Sequence, residues 1–345
     1  IGTLMAAEAA AKGHEVTMFT SRPGDWNKEI QVYNNAEEPL RTGFLSGITD
    51  SLEEALEAAD YVWVTLPAQL FSVFADKMLP LVHKGQKIGI IPGSGGAEFA
   101  FRHLIEKGCV LFGLQRVHSI ARLRQYGKSV YELGRKPEMH IGAIPASDTA
   151  DICRVMEEIF DMPCRALGNY LSVTLTPSNP ILHTTRLYSM FKDYKTGDAY
   201  PEQILFYEEW TVGASEMLLA CDAELQKLCR VIPLDLSSVV SLADYYESRT
   251  ADAMTEKIRG IKAFKGLVSP MKKVNDAWVP DWNSRYFTAD FPFGLKIMKD
   301  IAGIFHVETP NIDMVWDWYE DAAMEDGTEV FNVDLTADEF LNLYK

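Results

Sequence analysis

Two hydrophobic rhythms divide this chain. Up to about residue 168, short apolar runs alternate with amphipathic stretches. Residues Ile1 to Ala11 are alanine-rich and predict a helix closed by Gly13, followed by an alternating strand through Val16 and Met18 to Thr20. Ser51 to Ala59 predicts a short helix, Tyr61 to Leu66 a buried strand, Ala68 to His83 a helix, Lys87 to Ile91 a strand and Ala97 to Lys107 a helix. Cys109 to Gln115, Ser129 to Leu133 and Met139 to Ile144 read as further strands. Thr149 to Phe160 then reads as a helix before a last strand at Arg165-Ala166-Leu167. Such alternation predicts an α/β domain over residues 1–168, with a parallel, doubly wound sheet.

From Tyr170 onward the spacing lengthens. Glu202 to Val231 carries Ile204, Leu205, Tyr207, Trp210, Val212, Met217, Leu218 and Leu225, too densely for one surface stripe, so a central helix is expected there. Leu236 to Tyr246, Asp252 to Ile261, Phe293 to Ile304 and Ile312 to Met324 complete a bundle-like, all-helical domain over 169–345. The acidic tail reads as a solvated helix with its loop.

Composition narrows the choices. The chain has 345 residues, 47% of them hydrophobic, which is material for two cores, and no apolar run approaches the roughly 20 residues needed to span a bilayer. A net charge of -16 argues against nucleic acid or an anionic membrane as partner, so an anionic ligand would depend on local arginines. Five cysteines without a C-x-x-C pair suggest reduced thiols and a cytoplasmic protein. The seven histidines lack metal-binding spacing, so no metal is expected. A homodimer is compatible with these features.

The N-terminal pattern reads as the second half of a βαβ unit. Gly2 stands where the last glycine of G-x-G-x-x-G would open a helix whose N-terminus receives a pyrophosphate; the first strand and two glycines of that unit are expected ahead of Ile1, the alternative being a protein that lacks them. After the next strand come Thr20-Ser21-Arg22, two hydroxyls and a guanidinium where a carboxylate would otherwise accept the ribose 2′-hydroxyl. NADP(H) is therefore the expected cofactor, with NAD(H) as the alternative; a solvated loop arginine is the plain explanation of Arg22. Pro67 and the turn Gly93 to Gly96 lie at carboxyl ends of strands, where backbone can approach a dinucleotide, although a tight turn explains those glycines equally.

The chemistry concentrates in Ser178-Asn179-Pro180-Ile181-Leu182-His183 and in Arg285 to Gly294. Asn179 and Pro180 read as Ncap and first residue of a helix, with His183 one turn inside. The dipole there favours neutral imidazole and a carboxylate such as Asp290 opposes it, so the ring could exchange a proton near neutral pH, as a general acid/base must. A core histidine bonded to a carbonyl is the competing reading. Asn179 either caps the helix or contacts a ligand. Arg285 is either a bidentate clamp on a carboxylate or phosphate or a surface ion pair, and Arg116, Arg122 and Arg186 are weaker candidates for that clamp.

Taken together, Ile1-Gly2, Lys12-Gly13-His14-Glu15-Val16, Pro92-Gly93 with Gly96, Asn179-Pro180 with His183, Ala263-Phe264-Lys265-Gly266 before Pro270, and Arg285 to Leu295 resemble the opine dehydrogenase (octopine/nopaline dehydrogenase) family nearly end to end. The resemblance implies a Rossmann domain, a helical domain similar to that of 6-phosphogluconate dehydrogenase, and an active site between them. It implies NAD(P)H-dependent reductive condensation of an amino acid with a 2-oxo acid, with His183 as acid/base paired with Asp290. Two departures bear on substrate. Thr184 follows His183 where the family often has Pro, and Leu114 to Arg122 differs from the usual apolar wording, its extra arginines suiting a polyanionic oxo acid. The alternatives are a simple 2-oxo or 3-oxo acid reductase of the same architecture, or a non-catalytic NADP(H)-binding sensor.

Overall fold

The protein was analysed as a computed structural model that describes residues 1–324, 330 and 332–344. It divides into two compact units, Ile1–Thr174 with Leu341–Lys345, and Leu175–Phe340.

Unit 1 runs α1 (Gly2–Ala11), β1 (Thr17–Phe19), β2 (Glu29–Tyr33), β3 (Pro39–Phe44), β4 (Gly47–Thr49), α2 (Leu52–Leu56), β5 (Tyr61–Val64), α3 (Phe71–Met78), β6 (Lys87–Ile90), α4 (Ala97–Ala100), α5 (Arg102–Glu106), β7 (Val110–Leu114), β8 (Ser119–Gln125), β9 (Ser129–Arg135), β10 (Met139–Ile144), α6 (Thr149–Phe160), β11 (Cys164–Ala166) and α7 (Leu171–Thr174). The main sheet has the order β11-β10-β7-β6-β5. It is not wholly parallel, as the sequence pattern predicted, because β10 runs antiparallel to β7. Between those two strands the chain makes the β8–β9 hairpin in place of a crossover helix, and β10 returns antiparallel to β7. A second sheet, β3-β2-β9-β8, was not foreseen at β2, β3 or β8. The expected helix 97–107 is broken at Phe101 into α4 and α5, and the helix expected from Ala68 starts as a 3₁₀ turn and ends at Met78.

Helix α1 lies between the two sheets. Met5 and Ala9 pack with Phe112, Ile141 and α6, while Leu4, Ala6 and Ala7 pack with Ile30, Val32 and Val130. Only small residues permit this double contact: a Cβ on Gly43 would come within 2.3 Å of the Ala7 carbonyl oxygen, and one on Gly2 within 2.6 Å of Thr65 Oγ1. Glu8, also buried in α1, accepts from Arg41, Arg135 and His118, each at 2.7 Å. Burial pushes its pKa up, but the bonds from His118 and Arg135 outweigh that and the net shift is downward. All five cysteines are free thiols, with Cys153 and Cys164 Sγ atoms 3.0 Å apart.

Unit 2 contains α8 (Ser178–Phe191), α9 (Val212–Val231), α10 (Leu242–Tyr245), α11 (Ala251–Gly260), a hairpin of β12 (Met271–Val274) and β13 (Ala277–Pro280), then α12 (Arg285–Thr288), a π-helical turn Phe291–Leu295, α13 (Lys296–Ile304) and α14 (Pro310–Ala322). The hairpin was not anticipated. Asn275 and Asp276 both have positive φ, 49° and 65°, which is the two-residue turn that suits the twist of paired strands. The helix expected over 202–231 begins only at Val212, where the Thr211 side chain caps it by accepting from Ala214 N. The preceding segment is held irregular by its own partners: Phe206 N–H bonds Leu267 O at 2.8 Å, and the Glu209 carboxylate takes the Leu205 N–H. Likewise the helix expected over 236–246 reduces to α10 with Ser241 as its cap.

Candidate active site

Helix α8 positions His183. The expected Asn179 cap is corrected by the structure. The helix begins at Ser178 after Pro177, no side chain caps it, and Asn179 is an exposed residue of the first turn. Pro180 is tolerated there because first-turn N–H groups have no intrahelical acceptor. Thr184 and Thr185 donate their hydroxyls to the carbonyls of Pro180 and Ile181, at 2.5 and 2.7 Å, and both are fully buried, so neither offers a hydroxyl hydrogen to a ligand.

Asp290 reaches His183 through a close approach of backbones. A Cβ on Gly294 would stand 3.0 Å from Pro180 Cγ, so the glycine lets the π-helical turn settle on the first turn of α8. Asp290, at the start of that turn, puts Oδ2 2.8 Å from His183 Nδ1. The pair is mostly buried, with side-chain exposures of 13% and 18%. A carboxylate accepts, so Nδ1 carries the hydrogen, and in the neutral ring Nε2 keeps its lone pair.

Tyr207 completes the group. Its hydroxyl lies 3.0 Å from His183 Nε2. Its ring stacks on Phe264 at 4.0 Å between centroids, and Phe206 and Tyr286 stand edge-on and tilted against the imidazole at 5.6 and 4.7 Å. Burial drives the Tyr207 phenol far above the usual tyrosine value, so it stays protonated. Sequence reading missed this residue because it was absorbed into a helical period; the Phe206-Tyr207 pair followed four residues later by a Thr cap was the available signal.

The arginines divide. Arg285 is exposed at the first position of α12, five residues before Asp290, and its side chain is accessible to an anion. Arg186 is no clamp. It is 2% exposed, and its Nε and Nη2 donate to the carbonyls of Phe206 and Glu209, both at 2.9 Å, over the Trp210 ring. Burial lowers its pKa to about 10, with Glu209 opposing. Arg116 and Arg122 belong to unit 1. Arg116 is half-buried before β8, and Arg122 is exposed on β8 with Nη1 3.0 Å from the Ala121 carbonyl.

The other unit 1 candidates fall at strand ends. Helix α1 has no capping side chain and no acidic residue in its first turn, so its leading N–H groups suit an anion. Thr20, Ser21 and Arg22 follow β1, with the Arg22 guanidinium 4.4 Å above the Tyr126 ring and 63% of its side chain exposed. Pro67 is exposed after β5. Gly93 is glycine for internal reasons, since a Cβ there would meet Gly113 Cα and Val173 Cγ1 at 2.7 Å, and Gly96 opens α4 with φ +72°. Among the described residues no cluster could hold a metal ion, and no helix is long and apolar enough to cross a membrane.

Residues 166–323 match the family model described as NAD/NADP octopine/nopaline dehydrogenase, alpha-helical domain. Tauropine dehydrogenase of Arabella iricolor is 28% identical over 335 residues, covering 88% of this chain and 83% of that protein. Octopine dehydrogenase of Mizuhopecten yessoensis is 26% identical over 346 residues, covering 92% and 86%. Among solved structures, octopine dehydrogenase with NADH and L-arginine superposes with a TM-score of 0.84 at 24% identity, over 99% of this chain and 96% of that one. A 2-dehydropantoate 2-reductase from Geobacter metallireducens gives 0.63 at 15% identity, over 93% and 96%. These two likenesses are likenesses of fold.

Proposed function

The chain belongs to the opine dehydrogenase family, and from that premise we propose that it condenses the amine of an amino acid with a 2-oxo acid and reduces the resulting imine. The observation that carries this reading is the contact of 2.8 Å between His183 and Asp290, two residues 107 positions apart.

Imine formation needs protons moved at two atoms: one leaves the attacking amine, and one joins the carbinolamine oxygen so that it departs as water. His183 takes both tasks, with Asp290 fixing its tautomer and stabilising imidazolium. A nicotinamide cofactor supplies the hydride that the imine carbon accepts. Arg285 binds the oxo acid carboxylate, where a planar fork can hold both oxygens. Asn179, exposed in the first turn of α8, contacts the nicotinamide or the substrate rather than capping the helix. Arg116 and Arg122 are assigned to a second acidic group of the oxo acid.

The cofactor fits unit 1 on two counts. The uncapped N-terminus of α1 offers N–H groups to the pyrophosphate, and Gly2 keeps the approach to Thr65 open. No carboxylate stands among Thr20, Ser21 and Arg22, and the guanidinium, 63% exposed and only loosely paired with Asp25 at 3.7 Å, favours a 2′-phosphate, so NADP(H) is the preferred form. The free thiols suit a reducing compartment such as the cytoplasm.

The test is a matrix of amino acids, taurine included, against pyruvate and other 2-oxo acids, with NADPH or NADH oxidation followed by absorbance. Oxidation that requires both substrates supports the proposal. Oxidation by an oxo acid alone would make the protein a simple reductase, and cofactor binding without turnover would make it a sensor.

A further inference from the structure

Both ring nitrogens of His183 are occupied, Nδ1 by Asp290 at 2.8 Å and Nε2 by the Tyr207 hydroxyl at 3.0 Å. A general acid/base with no free nitrogen must either shed a partner or work through it. The surroundings of Tyr207 argue against shedding. Arg186, three residues after His183 on α8, grips the carbonyls of Phe206 and Glu209 on either side of Tyr207. Phe264 stacks on the phenol ring within 19° of parallel, and the Glu208 carboxylate holds the Gly266 N–H at 2.7 Å two residues beyond Phe264. The histidine and the tyrosine are thus fixed to one scaffold, and the tyrosine is 5% exposed.

We propose that Tyr207 is a catalytic relay, its hydroxyl carrying the proton between His183 Nε2 and the substrate, so that Asp290, His183 and Tyr207 act as one chain. This rests on the reading of His183 as the acid/base. A hydroxyl can follow both protonation states, donating to Nε2 when the ring is neutral and accepting from Nε2–H when it is imidazolium. In the second state its own hydrogen is free to point at substrate. For loss of water from the carbinolamine, the Nε2–H proton passes to the tyrosine oxygen while the phenolic proton passes to the carbinolamine oxygen. The C–O bond breaks, water leaves, and the nitrogen lone pair forms the C=N bond. The imidazolium charge ends on the iminium, and no oxidant or further reactant enters. Burial first, and then Tyr286, Tyr246 and Asp290, oppose ionisation of Tyr207, so the two proton transfers through it are coupled and leave no free-standing phenolate.

The test uses the full-length enzyme with saturating cofactor, pyruvate and the amino acid that turns over fastest in the matrix. Tyr207→Phe keeps the ring stack and removes only the hydroxyl. It is expected to lower kcat about 10²-fold, within the range for one general acid/base contribution, with cofactor binding and melting temperature little changed. On the unsubstituted enzyme, rates in mixtures of light and heavy water should curve as two protons in flight require. Tyr207→Phe with undiminished kcat, or a straight proton inventory in the parent enzyme, would overturn the relay. His183→Gln separates the two readings: loss of turnover there beside an active Tyr207→Phe removes only the relay, whereas a fully active His183→Gln removes the acid/base assignment as well.

Discussion

His183 Nδ1 and Asp290 Oδ2 meet at 2.8 Å although one sits on α8 and the other opens a π-helical turn 107 residues later. An amide at position 290 would keep the shape and lose the charge that selects the tautomer. Asp290→Asn is therefore expected to lower kcat by roughly 10³ to 10⁴, as in comparable triads, while leaving cofactor affinity unchanged by fluorescence titration. A drop of less than tenfold would remove Asp290 from the mechanism.

Arg285 is exposed, and its assigned task needs a fork rather than a point charge. Arg285→Lys should raise KM for the oxo acid on the order of tenfold and Arg285→Ala on the order of a hundredfold, with melting temperature unaffected. Steady-state kinetics with the oxo acid varied would settle the matter, and an unchanged KM in both variants would leave the arginine a surface residue.

Arg22, above the Tyr126 ring, is the residue proposed to distinguish the two dinucleotides. Arg22→Ala is expected to weaken NADPH about tenfold and to leave NADH almost untouched, since only the former carries the 2′-phosphate. Equal losses for both would mean that the guanidinium does not read that group.

Glu98 is fully buried after the Gly93–Gly96 turn, bonded by the hydroxyls of Thr174 and Tyr344, with Oε2 unpartnered. Burial raises its pKa from 4.5 to about 7, and the hydroxyl bonds only partly offset this. Its protonated form is favoured by folding, so its stabilising contribution is complete below pH 4.5 and disappears as pH rises through about 7. Glu98→Gln should leave stability near that of the parent at pH 5 and gain about 2 to 3 kcal/mol at pH 8, read by urea unfolding. The same difference at both pH values would show that the carboxyl does not titrate in that interval.

Gly43 and Gly213 predict opposite signs. A methyl at Gly43 collides with the Ala7 carbonyl at 2.3 Å, backbone against backbone, so Gly43→Ala should cost about 3 kcal/mol or prevent folding. Nothing lies within 4 Å of a Cβ at Gly213 in the first turn of α9, and Gly213→Ala should gain about 0.5 kcal/mol. Thermal melts of the two variants check both.

Legibility in the sequence followed burial. Strands β6, β7 and β10 are buried on most positions and, with the half-buried β5, stand out as apolar runs. β8 is exposed at most positions, alternates irregularly between Ile120, Arg122, Leu123 and Arg124 and carries two register shifts, so no period marks it. The segment before α9 deceived for the opposite reason: Ile204, Tyr207 and Trp210 recur at helical intervals, but Tyr207 packs on Phe264 and Trp210 under Arg186 from an irregular segment. His183 and Asp290 were readable as chemical types in a motif, whereas Tyr207 could be recognised only from its place in space.

Helix α1, confined between two sheets and tied by Glu8 to Arg41, Arg135 and His118, has no room to slide or tilt. Its dipole therefore points in one direction before any ligand arrives, and the pyrophosphate site proposed at its N-terminus would be formed in advance. On the proposed assignment, a change of dinucleotide choice is then to be sought in the loop after β1 rather than in the helix.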